Sequence, residues 1–263
     1  MTGFMVEDLI FKFENFLLVV LRVGCLLVFW PVWDNKAVPM QIKVYTVLVI
    51  ALALTPVVAP KLPPLPADWL GTLQICLREL LLGISIGLVL RFIFSGVQMA
   101  GDLVAIQMGF GAVSLFDPMS QAYSTVIADI LLLIATLIFL TMDVHHLLFR
   151  LLAQSFTEVP VGGLPLLPAS LFNFLPAMGK LMFQIGIKLV APVLAVLFLT
   201  QLSMGLVARA VPQIQVMIVS FPLTIALGLI FLSLSLILVG PFLAQEFTQV
   251  KVPLHRVLQA WQG

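Results

Sequence analysis

From Ala210 to Gln245 the chain runs 36 residues without a charged side chain. A helix needs only about 20 apolar residues to cross a hydrocarbon core of about 30 Å. A run of this length constrains the fold strongly, because it must lie in lipid or inside a larger apolar assembly. Pro222 interrupts it and is expected to kink the helix or end it one residue earlier. A polar knot of Arg209, Pro212, Gln213 and Gln215 stands at its start. An apolar run introduced by an arginine and broken by a proline predicts a helical hairpin or broken helix.

The rest of the chain has the same character. Hydrophobic residues make up 62% and charged residues 10% of the 263, with a mean hydropathy of +1.18. Soluble domains average about 45–50% apolar and about 25% charged, so the sequence predicts an integral membrane or membrane-assembled protein. A net charge of +1 excludes nucleic-acid binding driven by bulk charge. Cys25 and Cys76 both lie in apolar segments and read as small core residues, with no disulfide framework implied. The first residues carry Glu7 and Asp8 and lack a basic run, so the first apolar segment is expected to be retained.

Six apolar segments are expected, near Phe16–Trp33, Val38–Ala59, Trp69–Met99, Thr125–Leu152, Ala177–Leu206 and Ile214–Leu243. Their lengths favour helices over strands, and they lack the short alternating pattern of a membrane barrel. The fold class predicted is therefore all-α, built of membrane-associated helical hairpins. Pro56–Pro66 reads as a stiff extended linker, Gly101–Gln121 as a long loop with a turn at Asp117-Pro118, and Pro160–Pro176 as a third link. Residues 1–263 are expected to form one domain, with 247–263 as a tail that is amphipathic but divided by Pro253. No internal repeat stands out.

Arg22, Arg78, Glu79, Arg91, Asp129, Asp143 and Lys188 fall within or beside apolar segments, where facing lipid is costly. Each has two readings: a structural ion pair or snorkelling end residue, or a contact with other protein chains in a larger assembly. The sign of the loop charges does not fix an orientation.

Catalytic motifs do not survive inspection. Gly83-Ile84-Ser85-Ile86-Gly87 matches the G-x-S-x-G pattern of serine hydrolases, but that motif needs a strand-to-helix turn. Inside a continuous apolar helix, Gly83 and Gly87 instead form a small-xxx-small face for close helix packing. Asp143, His145 and His146 form a polar cluster after an apolar run. Only Asp143 and His146 stand at helical spacing as ligands, so a helix-end cap or interface hydrogen bond is expected, and no metal. Gln107-Met108-Gly109-Phe110-Gly111 has too few glycines for a phosphate loop. Its length, glycines and methionine predict a pliable functional loop. Met108, Phe110, Val113, Leu115 and Phe116 give that loop a soft apolar surface. No catalytic residue and no cofactor are expected.

Three ordered stretches resemble one known family. The first is Gln107-Met108-Gly109 leading to Asp117-Pro118. The second is Leu137-Ile138-Phe139-Leu140-Thr141 leading to His145 or His146, then Ser155-Phe156 and Val159-Pro160-Val161-Gly162. The third is Gly205-Leu206 with Arg209-Ala210-Val211-Pro212-Gln213, leading to Phe221-Pro222-Leu223. In order and spacing these are similar to the FliR family of flagellar biosynthesis proteins and its counterpart in virulence type III secretion. The resemblance implies a core subunit of an export gate in the bacterial inner membrane, at the flagellar basal body. It implies assembly with FliP-like and FliQ-like subunits into a helical spiral around a channel, with FlhB-like and FlhA-like proteins on the cytoplasmic side. Unfolded flagellar subunits would pass through, and the chain would be neither an ATPase nor a protease. The loop holding Gln107, Met108, Gly109, Phe110, Gly111, Leu115, Phe116 and Asp117 would project into the channel as part of a plug. Arg209 and Pro212 are expected to act as a structural polar pair, with Arg209 bonded to carbonyls freed by the proline. The alternative is a small-molecule or ion transporter, which should show repeated broken helices around a midplane site. An intramembrane hydrolase resting on Ser85 is a more distant third.

Overall fold

The computed structural model describes residues 2–30, 33, 38–61, 66, 68–110, 125–161, 168–211 and 216–262, with the side chains of 2–10, 61 and 216–218 left aside. Its helices are α1 (Thr2–Val28), α2 (Met40–Val58) followed by a 3-10 turn (Ala59–Lys61), α3 (Trp69–Met108), α4 (Val126–Thr141), α5 (Val144–Glu158), α6 (Leu171–Ala210), α7 (Val216–Gln249) and α8 (Lys251–Gln262). No strand occurs among the described residues. The all-α expectation holds. Among the described residues four stretches are long and apolar enough to cross a membrane, and a fifth if α4 and α5 count as one span.

The structure moves several expected boundaries. Pro56 does not open the linker, since α2 continues through it to Val58. Thr55 Oγ1 donates to Ala51 O at 2.7 Å, beside the position where proline lacks its N–H. Pro222 does not end α7, which contains both Pro222 and Pro241. In apolar surroundings a helix is the cheapest way to satisfy the remaining backbone groups, and neighbouring hydroxyls and small adjustments absorb the one lost bond. The loop expected from Gly101 starts only after Met108. At Gly101 an added Cβ would collide with Ala128 Cα of α4, so this glycine serves close packing of two helices and does not break one. The fourth apolar segment is split instead, at Met142 and Asp143. There Asp143 takes a left-handed φ of 55°, a conformation that asparagine and aspartate tolerate better than other side chains.

The chain forms two compact units. The first comprises Met1–Phe92, Asp143–Met178 and Thr248–Gly263. Its core is Leu18, Val19, Val23, Leu26 and Leu27 of α1, with Leu82, Ile86 and Leu90 of α3 and Phe156 of α5. Helices α1 and α3 meet along the Gly83–Gly87 face. A Cβ at Gly83 would stand 2.5 Å from Arg22 O, and one at Gly87 would stand 2.9 Å from Phe29 Cβ. The C-terminal residues belong to this unit as α8, with Pro253, Leu254, Val257, Leu258 and Trp261 buried. Their apolar face is thus covered by the chain itself and is not left free for a membrane surface. Ser170 Oγ donates to Ala260 O at 2.6 Å, and Gln262 Nε2 donates to Glu158 O at 3.3 Å.

The second unit comprises Ile93–Met142 and Gly179–Phe247. Phe94, Phe139 and Phe247 form its aromatic centre, with ring centroids 5.6–5.7 Å apart. These tilted and edge-to-face pairings match the electrostatics of the rings. Thr125 caps α4 by accepting from Ala128 N at 3.3 Å and donates to Asp102 Oδ1 at 3.1 Å.

Much apolar surface stays uncovered. In the most apolar stretch of α2 only 11% of residues are buried, and in that of α7 with α8 only 22%. Tyr45, Leu52, Leu234 and Ile237 are among the exposed side chains. Patches of this extent mark a membrane or protein contact.

Candidate functional site

One buried or packed polar locus stands out in each unit among the described residues. In the first it is a buried ion pair. Arg22 and Glu79 are 0% and 1% exposed. Arg22 Nε donates to Glu79 Oε2 at 2.5 Å and Nη2 to Oε1 at 2.9 Å, the two-pronged geometry that suits guanidinium and carboxylate. The Nη1 group donates to Ser155 Oγ at 3.0 Å, and Nη2 also reaches Val159 O at 3.4 Å. The Phe156 ring centroid lies 3.9 Å from the guanidinium carbon. A charge pair this dry is tolerated because its remaining donors are also used. These two charges therefore follow the ion-pair reading and need no second chain. Arg78, one residue before Glu79, differs: it is 3% exposed and its guanidinium nitrogens have no acceptor among the described residues. Ser85 lies less than two turns further along α3 and donates to Leu81 O at 2.7 Å. It has no strand-turn-helix elbow and no exposed hydroxyl to attack with.

The locus in the second unit is the end of α3. Gly109 N donates to Ile106 O and Phe110 N to Ala105 O, each at 3.0 Å. These two bonds close a Schellman motif, which requires the left-handed residue supplied by Gly109 at φ 92°. Gln107 and Met108 are thus helical, not part of the loop. Met108 is fully buried, and its side chain fills the space that a Cβ on Gly228 would need, with Met108 Cγ 2.6 Å from that point. Phe221 stands over Gly109 just as closely, its Cε1 2.5 Å from where a Cβ would be. Gln201 of α6 donates to Gln107 O at 3.0 Å, and the Thr224 hydroxyl of α7 lies 3.3 Å from Met108 O. These two groups reach carbonyls of the last turn, which have no partner within the helix. Beside them is an open cleft of about 280 Å³, lined by Gln107, Gly109, Gln201, Met204, Phe221 and Thr224.

The expected plug residues therefore divide. Gln107, Met108 and Gly109 are brought together as an anchored helix end, and Phe110 follows, 40% exposed. Gly111, Leu115, Phe116 and Asp117 lie outside the described residues, as does Pro212. Arg209 is exposed in the last turn of α6, where a cation suits the helix dipole, with no hydrogen bond among the described residues. Gly83 and Gly87 belong to the other unit. Sequence reasoning missed Gln201, Phe221 and Thr224 as partners of the helix end. They lie 94 and 116 residues from Gln107 and Met108 for the two hydrogen bonds, too far for any local pattern to report.

Comparison with known proteins gives a consistent result. Residues 13–250 match the family described as bacterial export proteins, family 1. The flagellar biosynthetic protein FliR of Escherichia coli (strain K12) is 32% identical over 232 residues, covering 88% of this chain and 87% of that protein. FliR of Pectobacterium carotovorum subsp. carotovorum is 30% identical over 245 residues, with 92% of each chain covered. FliR of Bacillus subtilis (strain 168) is 32% identical over 228 residues, covering 86% and 87%. Matches of this length run through both units and through both polar loci. The chain belongs to the bacterial export proteins, family 1, as a member of the FliR flagellar biosynthetic proteins.

Proposed function

We propose that the chain is a core subunit of the flagellar protein export gate in the bacterial inner membrane. In this reading it assembles with FliP-like and FliQ-like subunits around a channel for unfolded flagellar proteins. FlhB-like and FlhA-like proteins join on the cytoplasmic side. The observation that carries the reading is family membership across residues 13–250. The bare apolar faces of α2 and α7 support it, since lipid or neighbouring subunits must cover them.

The segment from Gln107 to Asp117 acts as the channel plug. Two features favour this. Its first residues are fixed by α6 and α7 through Gln201 and Thr224, so the segment leaves from a rigid base. Its remaining side chains, Phe110, Val113, Leu115 and Phe116, are apolar and suited to sealing a pore without fixed geometry. No chemistry is assigned to the chain.

Deleting Gly109 to Leu115 tests the plug. The complex should still assemble, because α3, α6 and α7 keep their contacts. Membrane conductance or solute leak in cells expressing it should rise. An intact complex without added leak would reduce the segment to a connector.

A further inference from the structure

The turn between α4 and α5 gathers three metal-ligating side chains. Asp143, His145 and His146 each offer one ligand atom, and all three atoms lie within 4.8 Å of one another. His146 Nδ1 is 3.2 Å and His145 Nε2 3.9 Å from Asp143 Oδ1. The two imidazole centroids are 4.1 Å apart. Ligands held at about 2.0–2.2 Å around one tetrahedral ion stand about 3.3–3.6 Å from each other. The observed spacings bracket that separation.

A second observation concerns the carboxylate. An aspartate ahead of a helix normally accepts from the backbone N–H groups of the first turn. Asp143 stands at the N-cap position of α5 yet makes no such bond, because its left-handed backbone turns the side chain away. Of the two roles expected from sequence, the cap is absent, and a hydrogen bond between the carboxylate and His146 Nδ1 within the turn stands in its place. The same turn brings in His145, which helical spacing alone had left out.

We infer that Asp143, His145 and His146 form a binding site for a single divalent transition-metal ion. Two imidazoles and one carboxylate suit zinc, cobalt, nickel or copper, and not magnesium or calcium, which want oxygen throughout. The site is open: Asp143 and His146 are 72% and 63% exposed and His145 22%. An ion is met first by the exposed Asp143 and His146, and with three protein ligands at least one coordination position stays free for water or another ligand. The positive end of the α5 dipole opposes the ion, so affinity is modest, with a Kd on the order of micromolar. None of this depends on the export reading.

The test uses the full chain, purified in detergent with whatever subunits accompany it. Zn²⁺ is titrated calorimetrically into wild type, His145→Ala, His146→Ala and His255→Ala, with Mg²⁺ as competitor. The expected result is a site that Mg²⁺ does not displace, weakened about tenfold or more by either change at 145 or 146. The exposed His255 in α8 serves as control and should leave it unchanged. A second measurement needs only wild type. Zn²⁺ should protect His145 and His146, but not His255, from diethyl pyrocarbonate, read by peptide mass. Equal modification with and without Zn²⁺, or titrations alike in all four proteins, overturns the site.

Discussion

The two polar loci solve the same problem in opposite ways. At the α1–α3 junction of the first unit, full charges are buried, each of the three Arg22 nitrogens has an acceptor, and the guanidinium stacks on Phe156. At the end of α3 in the second unit there are no charges. Backbone carbonyls, one amide, one hydroxyl and two glycines do the work. The first arrangement is closed: a charge pair in a dry site has one good geometry and a steep penalty for leaving it. The second is neutral and soft. It fixes the base of a segment while a cleft stays open beside it. On the proposed export-gate reading, a chain that holds an assembly together and lets something pass benefits from keeping these demands apart.

The largest effect should come from breaking the closed locus. Arg22→Ala leaves the Glu79 carboxylate buried and unpaired, a loss of about 3–5 kcal/mol. Thermal unfolding of the purified complex, or its yield, should show it. The double change Arg22→Met with Glu79→Leu should recover most of the loss, since an apolar pair of similar size is tolerated in such a site. If the single and double variants were equally unstable, the polar bonds of the pair, including those to Ser155 and Val159, would be stabilising in themselves and not merely compensating a buried charge.

Next come the glycines, which compare the two loci directly. Gly83→Leu drives a side chain into Arg22 O and Cys25 Cβ, at 2.5 and 2.9 Å from the new Cβ. Overpacking of this kind costs about 1–3 kcal/mol or more. Gly109→Ala imposes a Cβ at φ 92° and against Phe221, at about 1–2 kcal/mol. Removing the ring in Gly109→Ala with Phe221→Leu should return part of that. Both single variants should lower the melting temperature of the complex, Gly83→Leu more. Ser85→Ala, two residues from Gly83, should leave export near normal, because the hydroxyl only repeats a backbone contact within α3.

The smallest effect, and one of doubtful sign on a simple charge count, belongs to Arg78→Met. Arg78 is as buried as Arg22 but has no acceptor among the described residues. Replacing an unpaired buried cation by an apolar side chain of similar length should change stability by no more than about 1 kcal/mol, and in the favourable direction. A loss as large as that of Arg22→Ala would mean that assembly supplies Arg78 with an acceptor.

How much of this was legible in the sequence follows from the range of each interaction. The apolar runs gave the helices, because hydropathy over about 20 residues is a local property. Boundaries failed where a local signal was overruled by packing: Pro56 sits inside a helix, and Gly101 lies against Ala128. The break at Asp143 is marked in the sequence only by the polar cluster of Asp143, His145 and His146, and the expected fourth apolar segment runs straight through it. Gln107 to Gly109 were legible only as a segment of functional interest, since the loop expected from Gly101 begins after Met108. Their anchoring partners on α6 and α7 were not. Nor was the pairing of Arg22 with Glu79, 57 residues apart, although both stood out as charges that needed an explanation. The docking of α8 was missed for the same reason: its amphipathic face says only that something apolar covers it.

The most direct measurement of the central claim is the mass of the species that contains this chain when it is drawn gently from native membranes. The chain should emerge in a defined complex with unlike FliP-like and FliQ-like subunits. Expressed without them, it should aggregate or be degraded, because the exposed apolar faces of α2 and α7 have nothing specific to cover them. A stable, monodisperse single chain or homo-oligomer in mild detergent, with no unlike partner in the native preparation, would contradict the account.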